Sequence, residues 1–480
     1  MLAAILGTVA AALYWRAGLS LSHYDARAHL VVARRIFDSI TPSWEQIGAV
    51  WLPLPHVLNA LPVQIDWMYR TGASAIAISV VSYALTVACL SAIVRKVADS
   101  RTGAILAATL FAFNPNVIYL QSTPMTEPLL FALSALMLLH LTAWALSDVV
   151  QARAAAGWTI ALACLTRYEA WPIAGAGIVF AAYTKWRRGG VFTAVLHEAV
   201  TLALYAAGAV LFFMLVSFTT TGTWFVAGGF YVPNPQLQGQ PLAIYEAIRQ
   251  GLSDLAGPRF TQLASLSIVL IVIVALLSRR WSALIMPVAF VAAAALPFYA
   301  YFQGHPFIIR YGTPLILAGA ACIGVAVSLL RFAAPLAAIP ILALVMVQSP
   351  FFDPELAPAV VEASIDRQNA LGRRTVTECL RARYDGTTIM ASMGSLAHYM
   401  HELSHDGFDL DDFIHEGSGP LWLVALNEDP SLAVGWILIE ELAEGGDLLY
   451  QRGKQSPTFL GGFERACEGG NVALYKRVTK

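Results

Sequence analysis

Long runs of apolar residues recur along the first 350 residues of the chain and alternate with short polar segments. A run of roughly 20 apolar residues can cross the hydrocarbon core of a bilayer as an α-helix. The pattern therefore predicts about eleven membrane-spanning helices, counted by the sliding-window logic used for such segments. The runs cover residues 2–18, 72–94, 103–120, 128–146, 157–167, 171–184, 199–218, 262–278, 282–301, 311–330 and 335–348.

Two of these runs, 157–167 and 171–184, are shorter than an ordinary span and are separated by the polar hinge Arg167-Tyr168-Glu169. A segment that does not cross the bilayer completely is tolerated at membrane depth where it is buried in protein or lines a cavity. The sequence leaves two structures open for this pair, namely two spans or one broken, re-entrant hairpin.

The chain changes character after the last run. Residues 350–480 combine short apolar stretches with glycines and many charged residues, which is typical of a small water-soluble domain. Residues 387–392, 435–440 and 471–478 are predicted strands, and residues 394–403 a helix. The chain is therefore expected to consist of a membrane body, residues 1–349, and a C-terminal α/β domain, residues 350–480.

Composition supports this division and excludes a water-soluble globular protein. The chain is 58% hydrophobic and only 13% charged, whereas an average soluble domain carries about 25% charged residues. Residues 1–350 hold 19 Lys and Arg against 11 Asp and Glu, and residues 351–480 hold 11 against 20. Neither part has the dense basic patch of a nucleic-acid-binding protein, so no nucleic-acid partner is expected.

Basic residues between the spans predict the orientation. If the N-terminus lies in the cytoplasm, most Lys and Arg of the body fall in cytoplasmic loops, as the positive-inside rule requires. The outer side then receives the first loop, 20–71, the loop 219–261 and the C-terminal domain. We expect a multi-pass protein of the cell (inner) membrane with an extracytoplasmic C-terminal domain. Its two cysteines, Cys379 and Cys467, would face an oxidising compartment, where a disulfide and two separate thiols are both open.

Two carboxylates near the outer ends of spans are candidate catalytic groups. Asp25 precedes an amphipathic segment, 26–37, that is expected to lie on the membrane surface with Arg27 and Arg34 toward lipid phosphates. Asp25 is either the N-cap of this segment or a base that accepts a proton. Glu127 falls in the first turn of a predicted helix, where it either complements the helix dipole or lines a cavity.

Three short motifs of the membrane body resemble a known family. They are the acid after the first span, the turn NP-x-x-x-Y-x-x-S-x-x-x-x-E-P-L-L at 114–130, and the R-Y-x-x-P turn at 310–314. Together they resemble glycosyltransferases of the C superfamily, with the protein O-mannosyltransferases and the lipid A aminoarabinose transferases as the nearest likeness. The resemblance covers residues 1–350 in layout. It implies transfer of a sugar from a polyprenyl-phosphate carrier to an acceptor on the outer side of the membrane.

The resemblance also implies roles for the two acids. Asp25 matches the acid of the family's first loop, which implies that it is the general base that activates the acceptor. The family often has a second acid directly after it, whereas this chain has Ala26. Glu127 matches the second acid, which is expected to orient the acceptor or the first acid. A direct displacement of this kind inverts the anomeric centre.

Two further segments resemble turns that face the lipid carrier in the family, LTRYEAWP at 165–172 and QGHPFIIRYGTPLIL at 303–317. The resemblance implies that Arg167, His305 and Arg310 bind the carrier phosphate, with Tyr311 beside them. Arginine suits this role because it forms paired, charge-assisted hydrogen bonds to phosphate. The alternative is that these residues only anchor the protein at the membrane interface.

The expected partners are thus a polyprenyl-phosphate-linked sugar donor, a lipid, glycan or protein acceptor, and the membrane. The resemblance implies no cofactor with certainty. Some relatives use a divalent metal ion and others do not, and no residue of this chain is assigned as a metal ligand.

Two alternatives belong to other classes. A membrane transporter or a flippase for lipid-linked sugars would place ionisable groups or broken helices near the bilayer midplane, and the short pair of runs keeps this alternative open. A zinc metalloprotease is suggested by His401-Glu402-Leu403-Ser404-His405, which matches the H-E-x-x-H motif. Against it, Asp406-Gly407 ends the predicted helix at once, and spacing indicates no third ligand.

Overall fold

The computed structural model describes residues 1–147, 150–226, 233–348, 353–442, 445–456 and 458–478. The expected boundary at 349/350 lies outside these residues, as does part of the loop 219–261. The α-helices are α1 Leu2–Arg16, α2 Tyr24–Arg34, α3 Leu54–Ala60, α4 Asp66–Thr71, α5 Ala73–Ala98, α6 Arg101–Ala112, α7 Pro115–Leu120, α8 Glu127–Leu146, α9 Val150–Cys164, α10 Ala170–Arg187, α11 Phe192–Thr221, α12 Pro241–Ala256, α13 Pro258–Leu277, α14 Ala295–Phe302, α15 Pro314–Ser328, α16 Ala334–Gln348, α17 Pro358–Arg383, α18 Met393–Leu403, α19 Pro420–Asn427 and α20 Leu448–Gln455. The strands are β1 Ile389–Ala391, β2 Phe413–Ile414, β3 Trp436–Glu440, β4 Phe463–Gly469 and β5 Val472–Arg477.

The predicted apolar runs are helical in the structure, which confirms a polytopic α-helical body, although the run 103–120 is divided into α6 and α7 at Asn114. Among the described residues, seven helical segments are long and apolar enough to cross a membrane. Three of them begin with a 3₁₀ segment that continues into α14, α15 or α16. The apolar helices α1 and α6 are shorter, at 15 and 12 residues. The count of eleven spans therefore stays a prediction. The seven segments are Ala73–Ala98, Glu127–Leu146, Phe192–Thr221, Pro258–Leu277, Arg279–Phe302, Ile309–Ser328 and Arg331–Gln348.

The short pair of runs forms α9 and α10, a helical hairpin as deep as the neighbouring span α8. At one end, Glu198 of α11 accepts a hydrogen bond from Trp144 near the end of α8, at 2.8 Å. The same carboxylate lies 3.5 Å from Arg153 of α9 and 3.1 Å from Lys185 of α10. At the other end, the hinge 165–169 meets the start of α8. The hairpin thus extends between the same two ends of the bundle as α8 does. It is therefore not a re-entrant pair that stops halfway.

The C-terminal domain is built on a five-stranded sheet with the strand order β2-β1-β3-β5-β4. Strand β1 is parallel to β2 and β3, while β5 is antiparallel to β3 and β4. The predicted strands correspond to β1, β3 and β5, and the predicted helix to α18. Strands β1 and β3 are buried along their whole length, as expected where a sheet is covered on both faces. Cys379 of α17 and Cys467 of β4 form a disulfide. The sequence had left open whether these two cysteines pair or remain separate thiols.

Helix α2 is buried in protein along most of its length, so the prediction that Arg27 and Arg34 point toward lipid phosphates is wrong. It packs between the membrane body and the C-terminal domain, where it shares a buried apolar cluster with α18. Arg27 pairs with Glu402 of α18 rather than with lipid phosphate. Arg34 pairs with Asp38 at 2.5 Å and with Asp66 at 2.8 Å. The amphipathic pattern correctly indicated one apolar side, but the partner of that side is protein.

The H-E-x-x-H motif has a structural role in this fold. Two Arg373 nitrogens donate to Glu402 at 2.5 and 3.1 Å, in addition to the Arg27 contact. His401 is buried, and its Nε2 lies 3.0 Å from the Tyr69 carbonyl oxygen. Within the described part of the chain, no three His, Cys, Asp or Glu side chains are arranged to hold a metal ion. A carboxylate neutralised by two arginines is not available as a base, so nothing here supports a metalloprotease.

Candidate active site

The chemically rich residues gather at one end of the helix bundle, beneath the C-terminal domain. This end is formed by the start of α2, the start of α8, the hinge 165–169, the segment 309–312 and helix α17. Apolar spans bring these segments together because each polar turn lies at the same end of its neighbouring helices. Asp25, Glu127 and Arg310, which are far apart in the sequence, therefore become direct neighbours.

Arg310 is the centre of the cluster. Only 5% of its side chain is exposed, and its guanidinium donates to three carboxylates. Nη2 lies 2.6 Å from Asp25, Nη1 lies 3.1 Å from Glu127, and Nε lies 3.2 Å from Glu362. A buried cation must be paired, and the planar fork of arginine can satisfy several acceptors at once. Arg310 thus joins the membrane body, the first loop and the C-terminal domain.

Glu127 connects this centre to the hinge. Its side chain is 1% exposed, and its Oε1 atom faces both Arg310 and Arg167, the latter at 3.3 Å. Its Oε2 atom has no hydrogen-bond partner among the described residues. Arg167 also donates to Thr126 at 2.9 Å and to Glu169 at 2.8 Å. The Arg167–Glu169 pair can form because α10 begins only at Ala170, so the two residues lie on a turn rather than within a helix.

Tyr311 and His305 complete the cluster. The Arg167 guanidinium lies over the Tyr311 ring, 5.9 Å from its centroid. The His305 ring centroid is 5.8 Å from that of Tyr311, and His305 Nδ1 lies 2.9 Å from the Pro306 carbonyl oxygen. All residues that were predicted for the site are therefore connected through contacts: Asp25, Glu127, Arg167, His305, Arg310 and Tyr311.

Asp25 is not the N-cap of α2, so that alternative is wrong. The N-cap is His23, whose Nδ1 accepts a hydrogen bond from the Asp25 backbone N–H at 3.1 Å. Nε2 of His23 therefore carries the proton, and it faces Glu362 at 3.3 Å. The Asp25 carboxylate is left free to reach Arg310, and 22% of the side chain stays exposed.

The neighbouring positive charges determine the ionisation of Asp25. Burial raises the pKa of this carboxyl, but the charge of Arg310 and the hydrogen bond that it donates outweigh burial and lower the pKa to about 2. The pKa of Glu362 is also lowered, because the charge of Arg310 outweighs the effect of burial. Both groups are carboxylates at neutral pH.

Sequence reasoning missed the contribution of α17. This helix supplies Glu362 to Arg310, and it supplies Asp366, which accepts a hydrogen bond from the Tyr24 N–H at 2.8 Å. The segment reads as a charged helix of a soluble domain, and no local signal marks either acid as part of the site. Their role depends on how the C-terminal domain docks.

The charge balance of the cluster limits what it can bind. Two guanidinium groups, those of Arg167 and Arg310, face four carboxylates: Asp25, Glu127, Glu169 and Glu362. Apart from the Arg167 Nη1 group, which also donates to Thr126, the N–H groups that the structure shows bonding are directed at these acids. An incoming phosphate must therefore compete with these carboxylates for the charge of either arginine.

No model of a protein family matches the sequence, and no curated protein matches it. Solved structures are similar over nearly the whole chain. ArnT from Cupriavidus metallidurans bound to undecaprenyl phosphate is 12% identical with a TM-score of 0.60, covering 99% of this chain and 98% of that one. Its apo structure is also 12% identical, with a TM-score of 0.58, covering 99% and 97%. The apo oligosaccharyltransferase of Archaeoglobus fulgidus is 13% identical with a TM-score of 0.52, covering 92% of this chain and 69% of that one.

At these identities the likeness concerns the fold. It extends beyond residues 1–350, where the sequence motifs lie, and includes the C-terminal domain in the case of ArnT. The resemblance drawn from three short motifs is thereby confirmed at the level of the fold, which the chain shares with ArnT and with the archaeal oligosaccharyltransferase.

Proposed function

We propose that this protein transfers a sugar from a polyprenyl-phosphate-linked donor to an acceptor at the outer face of the membrane. The observation that carries the proposal is Arg310, a buried arginine bonded to acids from three separate segments at one end of the bundle. Such a site offers cations that stabilise a phosphate leaving group and carboxylates that interact with a nucleophile. The fold supports the proposal, since ArnT, a protein with this fold, has been solved with undecaprenyl phosphate bound.

In the proposed reaction the two sides of the cluster act on different substrates. Arg310 and Arg167, with His305 and Tyr311 beside them, bind the carrier phosphate and stabilise the charge that develops on it. Asp25 and Glu127 lie on the acceptor side. The acceptor's oxygen or nitrogen gives its proton to a base on this side and bonds to the anomeric carbon, while the bond between that carbon and the phosphate oxygen breaks. The electron pair leaves with the phosphate, and a direct displacement inverts the anomeric centre.

Glu362 gives the C-terminal domain a part in donor binding. When phosphate binds to Arg310, it competes with the carboxylates that hold the guanidinium at rest. Glu362 is the most exposed of the three, with 38% of its side chain accessible. We propose that phosphate displaces Glu362 first, because the more exposed acid is the more easily solvated.

The function is tested in vesicles reconstituted with the purified chain and a radiolabelled polyprenyl-phosphate sugar. We expect a covalent sugar product that depends on the acceptor and is absent from protein-free vesicles. Movement of the lipid-linked sugar or of a soluble sugar across the bilayer without such a product would instead indicate a flippase or a transporter. The same assay with and without a chelator measures the dependence on divalent ions.

The proposed orientation places the active site and the C-terminal domain on the outer side. We expect a membrane-impermeant protease to cleave the C-terminal domain in intact spheroplasts, because the cluster and α17 lie at the end of the bundle opposite Arg153 and Lys185. Loss of the domain on a gel measures the cleavage. Cleavage of a cytoplasmic marker protein controls for lysis. Protection of the domain until the membrane is permeabilised would contradict this orientation.

A further inference from the structure

Two buried histidines, His29 and His56, form a hydrogen-bonded pair beside the arginine cluster. Nδ1 of His29 lies 3.1 Å from Nε2 of His56. Trp51 packs against both rings, at 4.1 Å from the His29 centroid and nearly parallel to His56. His29 is 8% exposed and His56 1%. Neither histidine is part of the site that the sequence motifs predict.

The hydrogen bonds determine which nitrogens of the pair carry protons. Nδ1 of His56 lies 3.1 Å from the carbonyl oxygen of Leu52, which can only accept a hydrogen bond. Nδ1 of His56 must therefore be protonated. In a neutral ring its Nε2 is then an acceptor, so Nδ1 of His29 carries the proton that they share. Nε2 of His29 is left as a lone pair.

Both rings are neutral, as this assignment requires. Burial lowers the pKa of His29, and together with the nearby positive charges of Arg167 and Arg310 it outweighs the opposing charge of Asp25, so that the pKa is about 3. Burial lowers the pKa of His56 well below its ordinary value. Neither ring therefore carries a charge at neutral pH.

Nε2 of His29 belongs to the site. His29 follows Asp25 by one helical turn on α2, so the two side chains share a face, and His29 leans toward Asp25. Among the described residues nothing bonds this nitrogen. It is accessible to solvent, whereas the unpartnered ring nitrogens of other buried histidines are not. Nε2 of His29 is therefore a hydrogen-bond acceptor without a partner beside the cluster, and it can receive a hydrogen bond from a hydroxyl or amino group of a bound molecule.

Asp25 by itself is poorly suited to accept the proton of such a group. Its Oδ2 atom already accepts a hydrogen bond from Arg310 at 2.6 Å, and protonation of this carboxylate would break that ion pair. The reaction nevertheless has to remove a proton from the acceptor's hydroxyl or amino group.

We propose that Nε2 of His29 accepts the acceptor's proton during transfer, while Asp25 holds Arg310 and stabilises the imidazolium that forms. The inference rests on the proposed function. As the acceptor atom bonds to the anomeric carbon, its bond to hydrogen breaks and the proton moves to Nε2. The phosphate departs with the electron pair of the broken bond to carbon. His56 is a positioning residue, because it holds His29 in the required tautomer.

His29→Asn tests the assignment with little change in packing. The asparagine amide can still donate to His56 from the position of Nδ1, but it offers no base at the position of Nε2. We expect the turnover rate at saturating donor to fall about 100- to 10,000-fold, with the KM for the donor within about three-fold of that of the wild type. In His29→Ala, added imidazole should restore part of the activity. His140→Asn is the matched control, since His140 lies within α8 and contacts Thr159, and its activity should be unchanged.

The ring tautomer gives a readout that does not depend on activity. In an NMR spectrum with ¹⁵N-labelled histidine, the wild-type protein should show His29 protonated at Nδ1 and unprotonated at Nε2. In His56→Phe the His29 ring should no longer prefer this tautomer. The opposite tautomer in the wild type would overturn the proposal, and so would a His29→Asn turnover within three-fold of the wild type. If the wild type forms no sugar product at all, the proposed function fails instead.

Discussion

Asp25→Asn is expected to lower the rate of sugar transfer at least about 100-fold, the range seen when a charged group of a preorganised site is removed. Asparagine keeps the shape of the side chain but loses the charge that faces Arg310 at 2.6 Å. The variant should still fold, because His23 rather than Asp25 caps α2, and Arg310 keeps Glu127 and Glu362 as partners. Initial rates in reconstituted vesicles, at saturating donor, measure the effect.

Asp66→Asn is the matched control for this experiment. Asp66 lies on the same loop and also pairs with an arginine, Arg34 at 2.8 Å, but it is 53% exposed and lies outside the cluster. Its transfer rate should stay within about two-fold of the wild type. An Asp25→Asn rate within a few-fold of the wild type would remove Asp25 from the catalytic machinery.

The same substitution changes how stability depends on pH. Because the folded pKa of Asp25 lies near 2, below the 3.8 of an ordinary aspartate, its ionised form stabilises the fold. This contribution is complete above about pH 4 and is lost as the pH falls toward 2. The thermal unfolding temperature of Asp25→Asn should therefore fall less between neutral and acidic pH than that of the wild type.

Arg310→Lys is expected to lower transfer more than Tyr311→Phe does. A lysine ammonium keeps the charge, but it cannot direct nitrogens at Asp25, Glu127 and Glu362 in one plane. We expect a loss of about 100-fold in turnover and a decrease of about 2 kcal/mol in stability, since the buried Glu127 becomes less well paired. Phenylalanine keeps the ring contacts of Tyr311 with Arg167 and His305, so its rate should stay within a few-fold of the wild type.

Turnover at saturating donor and thermal unfolding of the two purified variants decide this comparison. If Arg310→Lys and Tyr311→Phe both behave like the wild type, Arg310 is only an anchor between the membrane body and the C-terminal domain. If Tyr311→Phe has the larger effect, the phenolic hydroxyl, and not the guanidinium fork, contacts the phosphate.

The site residues could be identified from the sequence where the chemistry sits in a short motif. Asp25, Glu127 and Arg310 each lie in a turn next to an apolar run, and a charged residue at such a place must be paired or solvated. Their partners could not be identified in this way. Glu362 lies in a helix that reads as ordinary soluble surface, and His29 reads as one polar residue of an amphipathic segment.

The sequence by itself determined the helical membrane body, the separate C-terminal α/β domain and most of the residues of the site. These follow from local quantities, namely the length of apolar runs, the period of apolar residues and short motifs. Only the tertiary structure decided that Arg310 bridges three acids, that Arg27 turns to Glu402 instead of lipid, and that His29 pairs with His56. Each of these contacts joins segments distant in the chain, and its energy depends on burial and on the direction of donor groups, which no local pattern specifies.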